Sequence, residues 1–386
     1  MLSMFTSRKA RAFALQAIFL AVVIAVIGGA FVEGRRNLAA QGITFGFGFL
    51  NHTTGFDVGF KLISYDSYST YSRLIFLGIL DSLFVGAFGI VAANLVGLVI
   101  AIMRTAGNST FNALGTVYVE IFRNIPLILQ VVFWYALLTR LPPPRHALSG
   151  FDSFLTSRGV YIPGLNVTGG HAAAACAIVI AGLTGLTVLS MSRRLSRLPF
   201  ARLLRWGVGL ATLSGAVLTL HLGRISGTPL VSLPKLQGFN IQEGIRISPE
   251  FLSLLIGMAV YGGAYISEII RAGFLATGKG QVEAAQSLGL TPWQVFHRVR
   301  LPLAIRAVLP TLINQYVWLF KATTLGIAVG YTDFFAVISV SINQAGHTLE
   351  LIGILMLGFL VINNAMALVL NRVNKAIALR GNQLRS

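Results

Sequence analysis

Eight long apolar runs divide this chain, and few folds can accommodate so many. A membrane-spanning helix needs about 20 largely apolar residues. Runs of that kind are centred on 12–31, 75–103, 113–139, 171–191, 203–222, 250–273, 307–330 and 350–371. Hydrophobic residues make up 55% of the chain and charged residues only 11%, with a mean hydropathy of +0.76. Soluble domains average roughly 25% charged residues, so a fully water-exposed surface cannot be built from this inventory. The predicted class is an all-α membrane protein with about eight transmembrane helices.

The formal net charge of +18 invites a nucleic-acid reading, which would need a basic face on a folded domain. The basic residues instead form short clusters between apolar runs, as the positive-inside bias predicts. With the N-terminus in the cytosol, Arg193, Arg194, Arg197 and Arg202 fall on the cytosolic side. So do Lys279, Arg298 and Arg300, and Arg372, Lys375, Arg380 and Arg385. The outer loops hold Arg35, Arg36, Lys61 and Arg73, then Arg140, Arg145 and Arg158, then Arg224, Lys235 and Arg246; residues 331–349 hold none. An even number of spans then leaves both termini cytoplasmic. The first run follows Arg8, Lys9 and Arg11 and could be a signal peptide; its length and the lack of a small-x-small cleavage site favour an uncleaved anchor. Cys176 is the one cysteine, which excludes an internal disulfide or a CxxC site. It sits in an apolar run and reads as small filler.

Two outer loops are long. Residues 32–73 are rich in Gly, Tyr, Ser and Phe, and residues 140–170 open on Pro142-Pro143-Pro144. Neither has a helical period, and both read as irregular surface. No internal repeat stands out.

The most organised polar piece lies between the sixth and seventh runs. Gly280 to Leu288 reads as a two-turn helix with Val282, Ala284, Ala285 and Leu288 on a narrow apolar stripe and Glu283 and Gln286 off it. Gly289 is the residue expected just past a helix C-terminus. Thr291-Pro292-Trp293-Gln294 restarts a helix as a capping box with proline in its first turn. Val295, Phe296 and Val299 continue the apolar side, and Pro302 is expected to bound it. Such a unit is either an inert helix on the headgroups or a docking knob for a soluble partner. Paired alanines favour close approach of a partner, and a lone Glu283 beside them can form a charge-assisted hydrogen bond.

Glu283-Ala284-Ala285, Gly289 and Val299-x-Leu301-Pro302 resemble the EAA loop of permease subunits of ATP-binding-cassette (ABC) importers, with Val299 where isoleucine is frequent. Val119-Glu120-Ile121-Phe122-Arg123-Asn124-Ile125-Pro126-Leu127, with Gln130, is similar to a segment of the polar-amino-acid (histidine/glutamine-type) branch. So are Tyr265-Ile266-Ser267-Glu268-Ile269-Ile270-Arg271-Ala272-Gly273 and Lys321-Ala322-Thr323-Thr324-Leu325, the last departing at Ala322, where a polar residue is usual. The match covers 75–139 and everything from 250 onward. It omits the first span and the pair between 171 and 222, and these extra spans resemble the general L-amino-acid permeases. The resemblance implies a five-helix type I importer permease core with an added N-terminal helix and an inserted helix pair. It divides the chain into 1–74 (anchor helix and periplasmic loop), 75–139 (first part of the core), 140–249 (insertion) and 250–386 (second part, with a coupling loop at 275–305).

Other motifs weigh little. Gly273-Phe274-Leu275-Ala276-Thr277-Gly278-Lys279 fits a phosphate-binding loop until position eight, where Gly280 replaces the magnesium-binding Ser or Thr. The six histidines have no metal-ligand spacing, and no nucleophile motif occurs, so no catalytic or metal residue is expected. Ionisable groups within spans are costly, about 2.5–3.5 kcal/mol each at the bilayer centre, and mark function by default. Asp81, Glu120, Arg123, Glu268, Arg271 and Lys321 qualify, with Asn94, Gln130, Asn314 and Gln315. Glu120–Arg123 and Glu268–Arg271 are three apart and could pair on a helix face. Lys321 lies deeper, with no local acid, and Thr323 and Thr324 either share its face or bond back to their own helix.

The expectation is therefore a permease subunit for amino acids in a bacterial inner membrane, with no cofactor of its own. ATP and magnesium would sit on partner ATPases, substrate would come from a periplasmic binding protein, and a second permease (a paralogue or another copy) would complete the pathway. Glu283, Ala284, Ala285 and Gly289 are the expected coupling residues. The pathway candidates are Glu120, Arg123, Gln130, Glu268, Arg271, Asn314, Lys321, Thr323 and Thr324. An ion-gradient-driven transporter is the alternative; it predicts inverted repeats with broken helices, which the sequence does not display. A membrane scaffold without transport is a third.

Overall fold

The computed structural model describes residues 8–40, 46–191 and 200–377. Arg193, Arg194, Arg197, Arg380 and Arg385 lie outside the described residues. Among the described residues seven helices are long and apolar enough to cross a membrane, and one bent pair brings the number to eight. The described helices are α1 (Arg8–Ala40), α2 (Tyr71–Thr105), α3 (Ser109–Asn124), α4 (Leu127–Thr139), α5 (Gly169–Met191), α6 (Ala201–Leu222) and α7 (Pro249–Ala276). They continue with α8 (Lys279–Ser287), α9 (Pro292–Val295), α10 (Leu301–Lys321), α11 (Phe334–Ala345) and α12 (Thr348–Ile377). The chain divides into two units, one of residues 1–135 and 253–386, the other of 136–252.

In the first unit α2, α7, α10, α11 and α12 pack through glycines. A methyl added to Gly97 would stand 2.7 Å from Ile266, one on Gly86 2.7 Å from Phe320, and one on Gly78 2.8 Å from Val337. Inside a bilayer lipid is as apolar as leucine, so helices associate by close van der Waals contact, which small residues permit. Leu74, Leu77, Val85, Ala93, Met258, Ile266, Leu319 and Leu351 are fully buried in consequence.

The third apolar run does not form one straight span. It breaks into α3 and α4 at 101°. Pro126 disfavours helical geometry at the residue before it, and Ile125 is accordingly extended, at φ −91° and ψ 121°. The buried Gln130 amide donates to the carbonyls of Phe122 (2.9 Å) and Ile125 (3.0 Å), which the break would otherwise leave without donors.

Pro302 does not end the second short helix. A five-residue π-helical turn, Phe296–Arg300, joins α9 to α10, with the Leu301 N–H donating to the Phe296 carbonyl. Proline in a regular helix crowds the carbonyl four residues back, here Arg298, and the wider turn relieves that crowding. The apolar helical segment runs from Pro292 to Val329, closing in a 3₁₀ stretch, Ala322–Val329.

The first outer loop starts later than the apolar pattern suggests, because α1 continues to Ala40. Residues 46–70 are largely irregular but not loose. Phe49 is buried and stacks on His347 at 4.3 Å. The Gly46 N–H donates to Glu350 (2.7 Å), Phe60 N–H to Thr332 (3.3 Å) and Leu62 N–H to Asp81 (3.3 Å). The strap thus covers one end of the helical core.

In the second unit, residues 140–170 are not irregular throughout. β1 (Leu148–Gly150), β2 (Ser153–Thr156), β3 (Gly159–Ile162) and β8 (Ile245–Ile247) form an antiparallel sheet in that order. β4 (Gly164–Leu165) pairs with β5 (Val231–Ser232), and β6 (Lys235–Gln237) with β7 (Asn240–Gln242). Strands of two to four residues are too short to show a sequence period. β2 turns into β3 through Gly159 at φ +119°, and Phe154 pairs with Tyr161, which pairs with Arg246 across β8. α5 and α6 form a hairpin in which Gly182 lies against Thr212 too closely for any side chain.

Candidate functional site

Two constellations follow from this architecture: the helix pair between α7 and α10, and a charge cluster among α2, α3 and α7.

In the helix pair, Gly289 has φ +78°, the left-handed conformation that glycine adopts without a Cβ penalty. The Gly289 N–H donates to Gln286 (2.9 Å) and the Leu290 N–H to Ala285 (3.3 Å), satisfying carbonyls at the end of α8. The capping box forms: Thr291 Oγ1 accepts from the Gln294 N–H, and Gln294 Oε1 accepts from the Thr291 N–H at 3.0 Å. The expected apolar stripe divides. Ala285 and Val295 are buried, with Val282 partly so, while Ala284 and Leu288 face outward beside Glu283. Leu288 is 80% exposed and Trp293 70%, so the unit presents two large apolar side chains as well as a carboxylate. The near-match to a phosphate-binding loop forms the last turns of α7 and the break before α8, not a loop after a strand.

In the charge cluster, Glu268 on α7 binds Arg104 Nη1 at 2.5 Å through one oxygen and Arg271 Nε at 3.0 Å through the other. Arg123 of α3 approaches the same carboxylate at 3.9 Å, beyond hydrogen-bonding distance, and its guanidinium lies 4.8 Å from the Tyr265 ring centre. The Glu268–Arg271 pair forms as the spacing suggests. Glu120 and Arg123 do not pair: Glu120 is exposed, and Arg123 turns across to α7, where a carboxylate and a ring face both meet its cation. Arg104, at the end of α2, was not legible as a member because its partner is 164 residues away.

The remaining candidates scatter. Gln130 is buried at the α3–α4 break. Lys321 is exposed at the C-terminal end of α10, within the apolar segment Pro292–Val329. Thr324 Oγ1 donates to the Lys321 carbonyl at 2.9 Å, and Thr323 is buried with its hydroxyl unbonded among the described residues. Asn314 is exposed, and Asn94 accepts from Tyr316 across helices at 2.7 Å.

Asn314 and Lys321, both expected in the pathway, share one face of α10 with residues that the sequence does not single out. Ala307, Thr311, Asn314, Trp318 and Lys321, spaced 4, 3, 4 and 3, are all exposed and occupy one face. Beside it α7 carries Tyr261, Tyr265, Glu268, Ala272 and Ala276 at helical spacing. Tyr261 and Trp318 stack at 5.4 Å. Between the two helices opens a cavity of about 460 Å³, lined by Arg123, Glu268, Ala272, Ala276, Ala307 and Thr311 among others. Three guanidiniums against one carboxylate leave a surplus of positive charge at its wall.

A multi-pass membrane protein with a capped, glycine-bent helix pair between two of its spans has the makings of a permease subunit. Residues 244–380 match the family model described as binding-protein-dependent transport system inner membrane component. The chain is 36% identical over 380 residues to the putative amino-acid ABC transporter permease protein YhdX of Escherichia coli K12, covering 97% of this chain and 96% of that one. It is also 36% identical to the general L-amino acid transport system permease protein AapQ of Rhizobium johnstonii, over 89% of this chain and 86% of the relative. With the glutamate/glutamine/aspartate/asparagine transport system permease protein BztB of Rhodobacter capsulatus it shares 31% identity over 94% and 92% of the two chains. The chain belongs to the amino-acid ABC transporter permeases, and is a multi-pass inner-membrane protein.

Proposed function

We propose that this chain is the membrane-spanning subunit of an importer that moves polar L-amino acids inward at the expense of ATP hydrolysed on partner chains. The observation that carries this reading is the α8–α9 pair. Between two spans stands a unit fixed by its own cap and left-handed glycine, with Glu283, Ala284, Leu288 and Trp293 exposed. Exposed large apolar groups on a rigid polar-side element suit docking into a partner's groove. A partner ATPase would seat this unit, and nucleotide-driven closure would carry it along. The unbroken π-turn connection to α10 would then pass that displacement into the membrane. ATP and magnesium belong to the ATPase in this reading.

The exposed stripe on α10 supports a second part of the proposal. Asn314 and Lys321 would be costly against lipid, so that face fits one wall of a pathway completed by a second permease, a paralogue or another copy. A periplasmic binding protein would supply substrate from the side opposite α8–α9, both termini being cytoplasmic. Co-purification tests the reading: the permease should bring down an ATPase, and Glu283→Arg with Leu288→Asp should abolish that association while leaving membrane insertion intact. Retention of the ATPase by this double variant would refute the docking role.

A further inference from the structure

We infer that Arg123 is the anchor for the substrate's α-carboxylate, the anion common to every α-amino acid, in the cavity between α7 and α10. The inference rests on the import reading above. The three arginines around Glu268 are not equivalent. Arg104, with its side chain 10% exposed, and Arg271 each bond one carboxylate oxygen, at 2.5 and 3.0 Å. Together they occupy Glu268 fully and neutralise it with charge to spare. Arg123 is 41% exposed, stands at 3.9 Å, and is held from behind by the Tyr265 ring. Its donors are therefore the ones left for an incoming anion. A planar guanidinium resting on an aromatic face is pre-organised for a carboxylate fork, and the two other arginines keep Glu268 from competing for it.

The rest of the lining explains what such an anchor would admit. Ala272, Ala276 and Ala307 are small, and Thr311 supplies a hydroxyl. A cavity of about 460 Å³ exceeds the backbone of any amino acid. A site that grips only the shared carboxylate and leaves side-chain space unfilled selects the class and not the member. Selectivity among amino acids would then lie mainly outside this cavity, and filling its wall should introduce size discrimination.

The test uses the whole transporter with its binding protein in proteoliposomes, scoring ATP-driven uptake of glycine, L-alanine, L-glutamine and L-glutamate beside the assembly and melting temperature of the purified complex. Arg123→Gln should lower uptake of all four about ten- to a hundredfold, as expected for a lost charged hydrogen-bond pair, with the assembly and melting temperature of the complex unchanged. Arg123→Lys should recover part of the uptake. Ala272→Leu should spare glycine and L-alanine while depressing L-glutamine and L-glutamate severalfold. Uptake by Arg123→Gln at the wild-type rate would overturn the inference. So would a loss confined to L-glutamate, which would assign Arg123 to a side-chain carboxylate. Loss of assembly or a lowered melting temperature, pointing to a structural role, would overturn it too. Absence of ATP-driven uptake in the wild-type complex would instead refute the import reading.

Discussion

Gly289 carries the bend between α8 and α9 on a single dihedral. Its φ of +78° suits glycine, and no atom lies within 4 Å of where a Cβ would stand. A replacement there therefore acts through backbone strain, not through collision. Left-handed geometry costs an L-residue about 1–2 kcal/mol, more for a β-branched one and less for asparagine. Gly289→Val should thus re-aim α8 relative to α9 and uncouple ATP hydrolysis from uptake, whereas Gly289→Asn should retain most coupling. Parallel assays of uptake and hydrolysis on inserted protein decide this; normal uptake in the valine variant would remove the bend from the mechanism. Gln130 acts differently. Its amide is the donor for both Phe122 and Ile125 carbonyls at the α3–α4 break. Gln130→Leu would strand buried acceptors at about 1–3 kcal/mol, and should lower the unfolding temperature of the purified complex by several degrees. An unchanged melting temperature would show that water or lipid headgroups serve those carbonyls instead.

Among the elements, α9 is short enough for its cap to matter. Only four residues separate Thr291 from the π-turn, so the capping box is a large share of what starts this helix. Thr291→Ala removes an acceptor worth about 1 kcal/mol and leaves the reciprocal Gln294 bond in place. Faster amide exchange at Gln294 and Val295 is the expected outcome, read by hydrogen–deuterium exchange on the solubilised complex. Exchange as slow as in the wild type would mean that burial of Val295 alone fixes the turn. The π-turn shows why the α9–α10 junction misled the linear reading. Proline is a stop signal in isolation, but a helix widened by one residue per turn accommodates it, and that choice depends on packing such as the Phe274–Phe296 ring contact at 5.8 Å.

At the scale of the molecule, the orientation across the membrane is open to direct measurement. Replacing Cys176, the single cysteine, gives a background for single-cysteine labelling. A cysteine at Gly227 should react with a membrane-impermeant maleimide on intact spheroplasts, and one appended after Ser386 only after permeabilisation. The reverse pattern would invert the topology and place α8–α9 on the wrong face for an ATPase. The spans themselves were legible because burial in lipid imposes one crude condition, a run of apolar residues, that any neighbour leaves unchanged. Two segments depart from the linear pattern in shape, not in kind: the α3–α4 run, which breaks at 101°, and the 140–170 loop, whose sheet uses strands too short to leave a period.

What the sequence determined alone is local. The eight apolar runs, the cap at Thr291, the left-handed Gly289 and the Glu268–Arg271 pair all depend on residues within about one helical turn or on the solvent itself, so their signals are contiguous. Tertiary structure decided the rest. The joining of Arg104 to Glu268, the turning of Arg123 from Glu120 to α7, and the polar stripe of α10 left uncovered exist only once glycine faces have drawn α2, α7 and α10 together. Each charged side chain then takes the partner that packing brings within a few ångströms, and the chain's linear order carries no record of that distance.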